Sequence, residues 1–202
     1  MAELNLYQKA VRSLALGEPD ASTLSKPLLE QNPTRVAVFV SAVFIGMVER
    51  RFKDDHSSEA IASFMEDLRH SFRNAYPQLK PEAAEAMVKA VWDEDYPIDE
   101  IDTKDQHLSK LAVVREIVHE LDDVRENLDS YLHDADVMTQ SWLDSLSRSP
   151  LQKAPYLLSK RRPLLHYRHH TIVRRTSTAT LRTDSEPELQ KSREQAQLNR
   201  TG

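Results

Sequence analysis

Residues 32–52, NPTRVAVFVSAVFIGMVERRF, contain the most apolar stretch of the chain. Asn32 followed by Pro33 is a strong helix start, because an Asn side chain caps free backbone N–H groups and Pro fits the first helical turn. Apolar residues then fall on nearly every side, which is typical of a helix surrounded by other elements. We therefore predict a helix from Asn32 to about Phe52 at the centre of a bundle. Its apolar residues are Val36, Phe39, Val40, Val43, Phe44, Ile45, Met47 and Val48.

Apolar residues at helical spacing predict further helices before residue 93. The first ends at Gly17, because glycine adopts the left-handed conformation that closes a helix. A short helix around Leu24–Leu29 is possible, although Pro27 weakens it. Two more begin at Ser57 or Ser58 and at Pro81. The apolar stripes are Leu4, Tyr7, Val11 and Leu14; then Ile61, Phe64, Met65, Leu68 and Phe72; then Ala84, Met87, Val88, Val91 and Trp92.

An acidic connector, residues 93–102, separates these helices from the longest one. Thr103 is a candidate cap for that helix, whose stripe is Leu111, Val114, Val118, Leu121, Val124, Leu128 and Tyr131. A last short helix holds Val137, Trp142, Leu143 and Leu146. No segment alternates with a period of two, so we predict an all-α bundle of about five or six helices over residues 1–147.

Charge divides the chain into segments. Residues 1–147 carry 15 basic and 28 acidic side chains, which gives a net charge of −13. Residues 148–183 carry nine basic side chains and no acid, and residues 184–202 are polar with a net charge of −1. We expect an acidic helical domain, a basic tail segment and a disordered C-terminus.

Composition excludes several kinds of chemistry. The absence of cysteine excludes disulfides, thiolate zinc sites and a cysteine nucleophile. Three glycines in 202 residues disfavour glycine-rich loops that cradle phosphate, so we expect no cofactor. The run Val36–Val48 has 13 residues, whereas a membrane-spanning helix needs about 20. We expect no transmembrane segment and a cytoplasmic location.

Residues His119, Glu120 and Asp123 are the candidate metal ligands. His119 and Asp123 are four residues apart and would share one face of a helix. The metalloprotease pattern requires a second histidine where Asp123 stands, and we identify no third ligand. A solvated helix face explains the same residues, so we predict no metal site.

A second arrangement of carboxylates combines Asp99-x-x-Asp102 with Glu120-x-x-Asp123. Carboxylates three apart on two facing helices can hold Mg²⁺. The spacing resembles that of the all-α nucleotide pyrophosphohydrolases, and the resemblance implies a metal-dependent nucleotide hydrolase. It covers four residues. The family has Glu-x-x-Glu where this chain has Asp99 and Asp102, and this half falls in the proline-containing connector.

The basic tail is the strongest candidate for a binding site. Its cations alternate with tyrosine, histidine and aliphatic residues, a mixture that suits nucleic acid because cations neutralise phosphate and rings stack on bases. The same residues also suit an anionic membrane surface, or docking onto the acidic domain. The candidate residues are Lys160, Arg161, Arg162, Tyr167, Arg168, Arg174 and Arg175.

These observations favour a non-enzymatic interaction or regulatory module. Its helical domain would bind a protein partner or a second copy of itself, and its tail would contact a polyanion or an acidic surface. The alternative is a nucleic-acid-associated accessory factor that binds mainly through the tail. A metal-dependent nucleotide hydrolase is the third possibility.

Overall fold

The computed structural model describes residues 3–75, 78–93 and 95–148. In these ranges the chain forms eight α-helices, one 3₁₀ turn and no strand, which confirms the all-α prediction. The helices are α1 (Leu6–Leu16), α2 (Ala21–Gln31), α3 (Pro33–Arg51), α4 (Ser58–Ser71), α5 (Pro81–Lys89), α6 (Thr103–Glu120), α7 (Asp122–Glu126) and α8 (Leu128–Arg148). The 3₁₀ turn, Ile98–Glu100, lies in the acidic connector. Of the basic tail only Arg148, the last residue of α8, lies within these ranges; the rest of the tail and the C-terminus, for which we expected disorder, lie outside them.

Local sequence signals account for most helix ends. The Asn32 side chain accepts a hydrogen bond from the Arg35 backbone N–H, and Pro33 opens α3 as predicted. Ser57 caps α4 by accepting from Ala60 N–H. Gly17 closes α1 in the left-handed conformation, with φ of 69°. These contacts satisfy N–H and C=O groups that a helix leaves free at its ends.

Two predicted boundaries around α6 are wrong. Asp102, not Thr103, caps α6, with its carboxylate accepting from Lys104 N–H at 2.8 Å. The predicted long helix also breaks at Leu121, whose backbone is extended. The break lies beside the end of α3, where Arg51 binds the adjacent Glu120, and Val124 and Leu128 follow it. The break turns the chain back, and both residues are buried.

The last helix is longer than predicted and faces differently. It begins at Leu128 instead of near Val137 and extends for 21 residues. Leu128, Leu132, Ala135 and Thr139 form its buried face, whereas Val137 is 59% exposed. The predicted long helix divides into α6, α7 and the start of α8, and α8 also contains the predicted last helix. With the formation of α2 despite Pro27, the described residues form eight helices, where about five or six were predicted.

Helix α3 occupies the centre of the bundle as predicted, and α1, α2, α6 and α8 all pack against it. Arg35 binds Asp136, whereas Arg50, farther along α3, interacts with Tyr131, so α8 is antiparallel to α3. Ser41 lies opposite Lys110 and Arg51 opposite Glu120, so α6 runs in the same direction as α3. The largest fully buried side chains are Phe39, Phe44, Phe52, Phe64, Met47, Leu68, Ile117 and Leu132.

The two described glycines should respond oppositely to alanine. Nothing lies within 4 Å of the position that a Cβ would take at Gly46, inside α3. Gly46→Ala should therefore stabilise the fold by about 0.5 to 1 kcal/mol, the difference in helix propensity. At Gly17 the backbone is left-handed and a Cβ would lie 2.8 Å from Arg115 Nη2. Gly17→Ala should destabilise by about 1 kcal/mol or more. Urea unfolding measures the change in the free energy of unfolding for both variants. If both substitutions stabilise the fold, or both destabilise it, the roles given to the two glycines are wrong.

The acidic domain should fold without the rest of the chain. All of the apolar side chains that are buried in the described residues lie between Ala10 and Ala135. A protein truncated after Arg148 should therefore show a helical circular dichroism spectrum and one cooperative thermal transition close to that of the full chain. A non-cooperative transition would mean that later residues complete the core.

Candidate functional site

All seven candidate binding residues of the basic tail lie outside the described residues. They are Lys160, Arg161, Arg162, Tyr167, Arg168, Arg174 and Arg175. Their role remains a prediction from sequence.

The candidate metal ligands do not share one helix. His119 and Glu120 end α6, whereas Asp123 lies in α7 beyond the extended residue Leu121. Glu120 accepts a hydrogen bond from Arg51 Nε at 2.7 Å, and Asp123 accepts from Arg50 Nη2 at 2.6 Å. Both carboxylates therefore join the end of α3 to the turn between α6 and α7. Across the described ranges, no three His, Asp or Glu side chains come together as a metal site.

The carboxylates of the second arrangement lie at opposite ends of α6. Asp102 caps its first turn and Glu120 is its last residue. A rise of 1.5 Å per residue over these 18 steps places the two roughly 27 Å apart. Carboxylates at this distance cannot bind one metal ion, so the geometry does not support the resemblance to the pyrophosphohydrolases.

A lysine that the sequence analysis missed lies in the core instead. Lys110, in the middle of α6, is 5% exposed. It is the one ionisable residue that is buried in the described part of the chain. Its Nζ donates to Ser41 Oγ of α3 at 3.0 Å. The Ser41 hydroxyl in turn donates to the Ala37 carbonyl at 2.8 Å. The ammonium group thus has a neutral partner where a buried charge normally has a carboxylate.

Burial lowers the pKa of Lys110 to about 8, because an apolar surrounding disfavours the charged amine. His107 lies one turn earlier on α6. Burial lowers its pKa, and the positive charge of Lys110 lowers it further. The pattern of α6 contained a signal for this position, since Lys110 precedes the buried Val114 by four residues and Ile117 by seven. The predicted stripe began at Leu111, which is only partly buried.

At the surface, a row of aromatic rings leads outward from the core. Phe64 packs edge-on against Phe52, and Phe52 packs edge-on against Trp92 with ring centroids 5.9 Å apart. His56 stacks on Trp92 at 5.2 Å. Trp92, which we had predicted to face inward, is 37% exposed, and the exposed acids Asp93 and Asp95 follow it. An exposed tryptophan is the type of residue that dominates protein–protein contacts.

Comparison with known proteins identifies no relative: no protein-family model, no curated protein and no solved structure matches the chain. Among the helices that the structure describes, none is both long and apolar enough to cross a membrane.

Lys110 should make stability depend on pH. Its pKa is lower in the folded than in the unfolded chain, so unfolding takes up a proton, and stability should rise from about pH 8 to pH 10.5. Lys110→Met keeps the length of the side chain and removes the amine. It should stabilise the fold at pH 7 by on the order of 2 to 3 kcal/mol.

Urea unfolding at pH 7, 8.5 and 10 measures this effect, with Lys104→Met as the control because Lys104 is exposed on the same helix. The difference between wild type and Lys110→Met should shrink as the pH rises. A constant difference would show that Lys110 has an ordinary pKa.

Proposed function

We propose that the protein is a non-enzymatic interaction or regulatory module with two binding elements. The acidic helical domain binds a protein partner or a second copy of itself, and the basic tail binds a polyanion or an acidic surface. The segregation of charge carries the proposal, since residues 1–147 have a net charge of −13 and residues 148–183 of +9. A segment this basic attracts phosphate, whereas the acidic domain repels it.

The geometry of the acidic domain supports a binding role over a catalytic one. Glu120 and Asp123, which the sequence offered as metal ligands, are bound to arginines of α3. The exposed ring of Trp92 beside Asp93 and Asp95 provides an aromatic contact with acidic neighbours. Such a surface fits a partner that presents basic and apolar side chains together.

The second candidate is a nucleic-acid-associated accessory factor, for which the tail is the main binding element. The observation that favours it is the alternation of cations with rings around Tyr167, since rings can stack on unpaired bases. Either candidate is compatible with the cytoplasm, the location that we propose, where RNA and acidic proteins are available as partners.

A titration with labelled DNA and RNA tests the tail. Full-length protein should bind both with weak sequence preference and with an affinity that falls steeply with salt, because bound cations release counterions from phosphate. The test variant replaces five tail cations with alanine: Lys160, Arg161, Arg162, Arg174 and Arg175. If each of the five contacts a phosphate, the slope of log K, the logarithm of the binding constant, against the logarithm of the salt concentration should become less negative by roughly 3.5 to 4.5.

The control replaces five exposed cations of the acidic domain with alanine: Lys9, Lys26, Lys53, Lys104 and Arg125. It removes the same charge and should leave the slope unchanged. Absence of binding by full-length protein at low salt would reject the polyanion proposal. Affinity purification with the full chain and with residues 1–148 then assigns any protein partner, because a partner of the acidic domain is retained by the shorter chain.

A further inference from the structure

The contact between α3 and α6 is interrupted by polar groups in an otherwise apolar core. Lys110 Nζ and Ser41 Oγ meet across this contact at 3.0 Å. Ser109, the neighbour of Lys110, is also buried, and its hydroxyl has no hydrogen-bond partner. Polar groups buried with incomplete hydrogen bonding favour any state in which water reaches them.

No carboxylate compensates the amine. His107, on the same helix, is the titratable side chain next to Lys110, and burial alone shifts the pKa of Lys110. The elements that pack against α6 contribute uncharged buried residues to the core. These are Gln8, Ala10, Val11, Ser13 and Ala15 from α1; the α3 residues from Val36 to Val48; Ile61, Phe64, Met65 and Leu68 from α4; Ala83, Ala84, Met87 and Val88 from α5; and Val124 from α7.

We propose that the α3–α6 contact around Lys110 is the point at which the bundle opens, with Lys110, Ser41 and Ser109 buried in the closed form and hydrated in the open form. This inference concerns the helical domain and does not depend on what the protein binds. At the far end of the same contact the ion pair of Arg51 with Glu120 joins α3 to α6, and the ion pair of Arg50 with Asp123 joins α3 to α7. Opening therefore separates the helices around Lys110 while their C-terminal ends stay joined.

The pH dependence of opening has a definite sign. The open form has the usual lysine pKa near 10.4, and the closed form has a pKa of about 8. Between these values the open form binds a proton that the closed form does not, so opening becomes more favourable as the pH falls. From pH 9.5 to 7.5 the opening constant should rise roughly twenty-fold, and below that range it levels off because both forms are protonated.

Single thiols can measure opening at chosen positions, because the chain has no cysteine of its own. Val114→Cys places a thiol one turn after Lys110 on the buried face of α6, and Ala135→Cys places one on the buried face of α8. The rate of labelling by a disulfide reagent, divided by the rate for a free thiol at the same pH, gives the opening constant at each position. The experiment uses full-length protein, with and without Lys110→Met.

The proposal expects a larger opening constant at Val114→Cys than at Ala135→Cys, and a rise of about twenty-fold at Val114→Cys as the pH falls from 9.5 to 7.5 that is absent in the Lys110→Met background. Equal opening constants at both positions would show that the amine is exposed only by unfolding of the whole domain, which overturns the proposal. Direct titration of Lys110 Nζ by NMR in the otherwise unaltered chain provides a second measurement. A value near 10.4 would also overturn it.

Discussion

Burying α3 on every side requires apolar faces from several other helices, since a neighbouring helix covers only one stripe of its surface. Helices α1, α2, α6 and α8 provide these faces. Polar contacts along α3 mark where α8 and α6 lie against it: Arg35 with Asp136 of α8 at its start, and Ser41 with Lys110 and Arg51 with Glu120 of α6 in its middle and at its end. Burial of apolar side chains supplies the stabilisation. The polar contacts favour one orientation of α6 and α8 along α3 over the other orientations in which the same side chains could be buried.

The end of α3 explains the turn in the chain after α6. A helix that runs beside α3 in the same direction loses its apolar partner where α3 stops, near Arg51. The chain reverses there through Leu121 and the short helix α7, and α8 returns along α3. The acids that lie at this reversal bind Arg50 and Arg51. An acidic cluster that suggested metal chemistry in the sequence therefore has a structural partner, which becomes visible only once the helices are assembled.

Sequence reasoning identified most of the helix ends, which depend on neighbouring residues, and missed the helix break and the buried lysine, which depend on distant ones. The caps at Asn32 and Ser57 and the helix end at Gly17 were predictable because each involves residues within one or two turns. The break at Leu121 was not, since the apolar stripe continues through it and only the length of α3 explains it. The burial of Lys110 was missed for a related reason, because a lysine on a helix is normally placed in water unless the position of its neighbours is known. The candidate residues of the tail remain untested predictions.

The position of α1 has a consequence for the order in which the chain can assemble during synthesis. Asn5 and Arg12 of this first helical region bind Asp136 and Asp129 of α8, and Gln8 donates to the Leu132 carbonyl. About 115 to 120 residues must be added after α1 before these partners exist, which takes roughly 6 to 24 s at 5 to 20 residues per second. The earliest helix to be made is thus among the last to reach its full set of contacts, and until α8 exists its apolar face is covered only by α2, α3 and α6 as each is made.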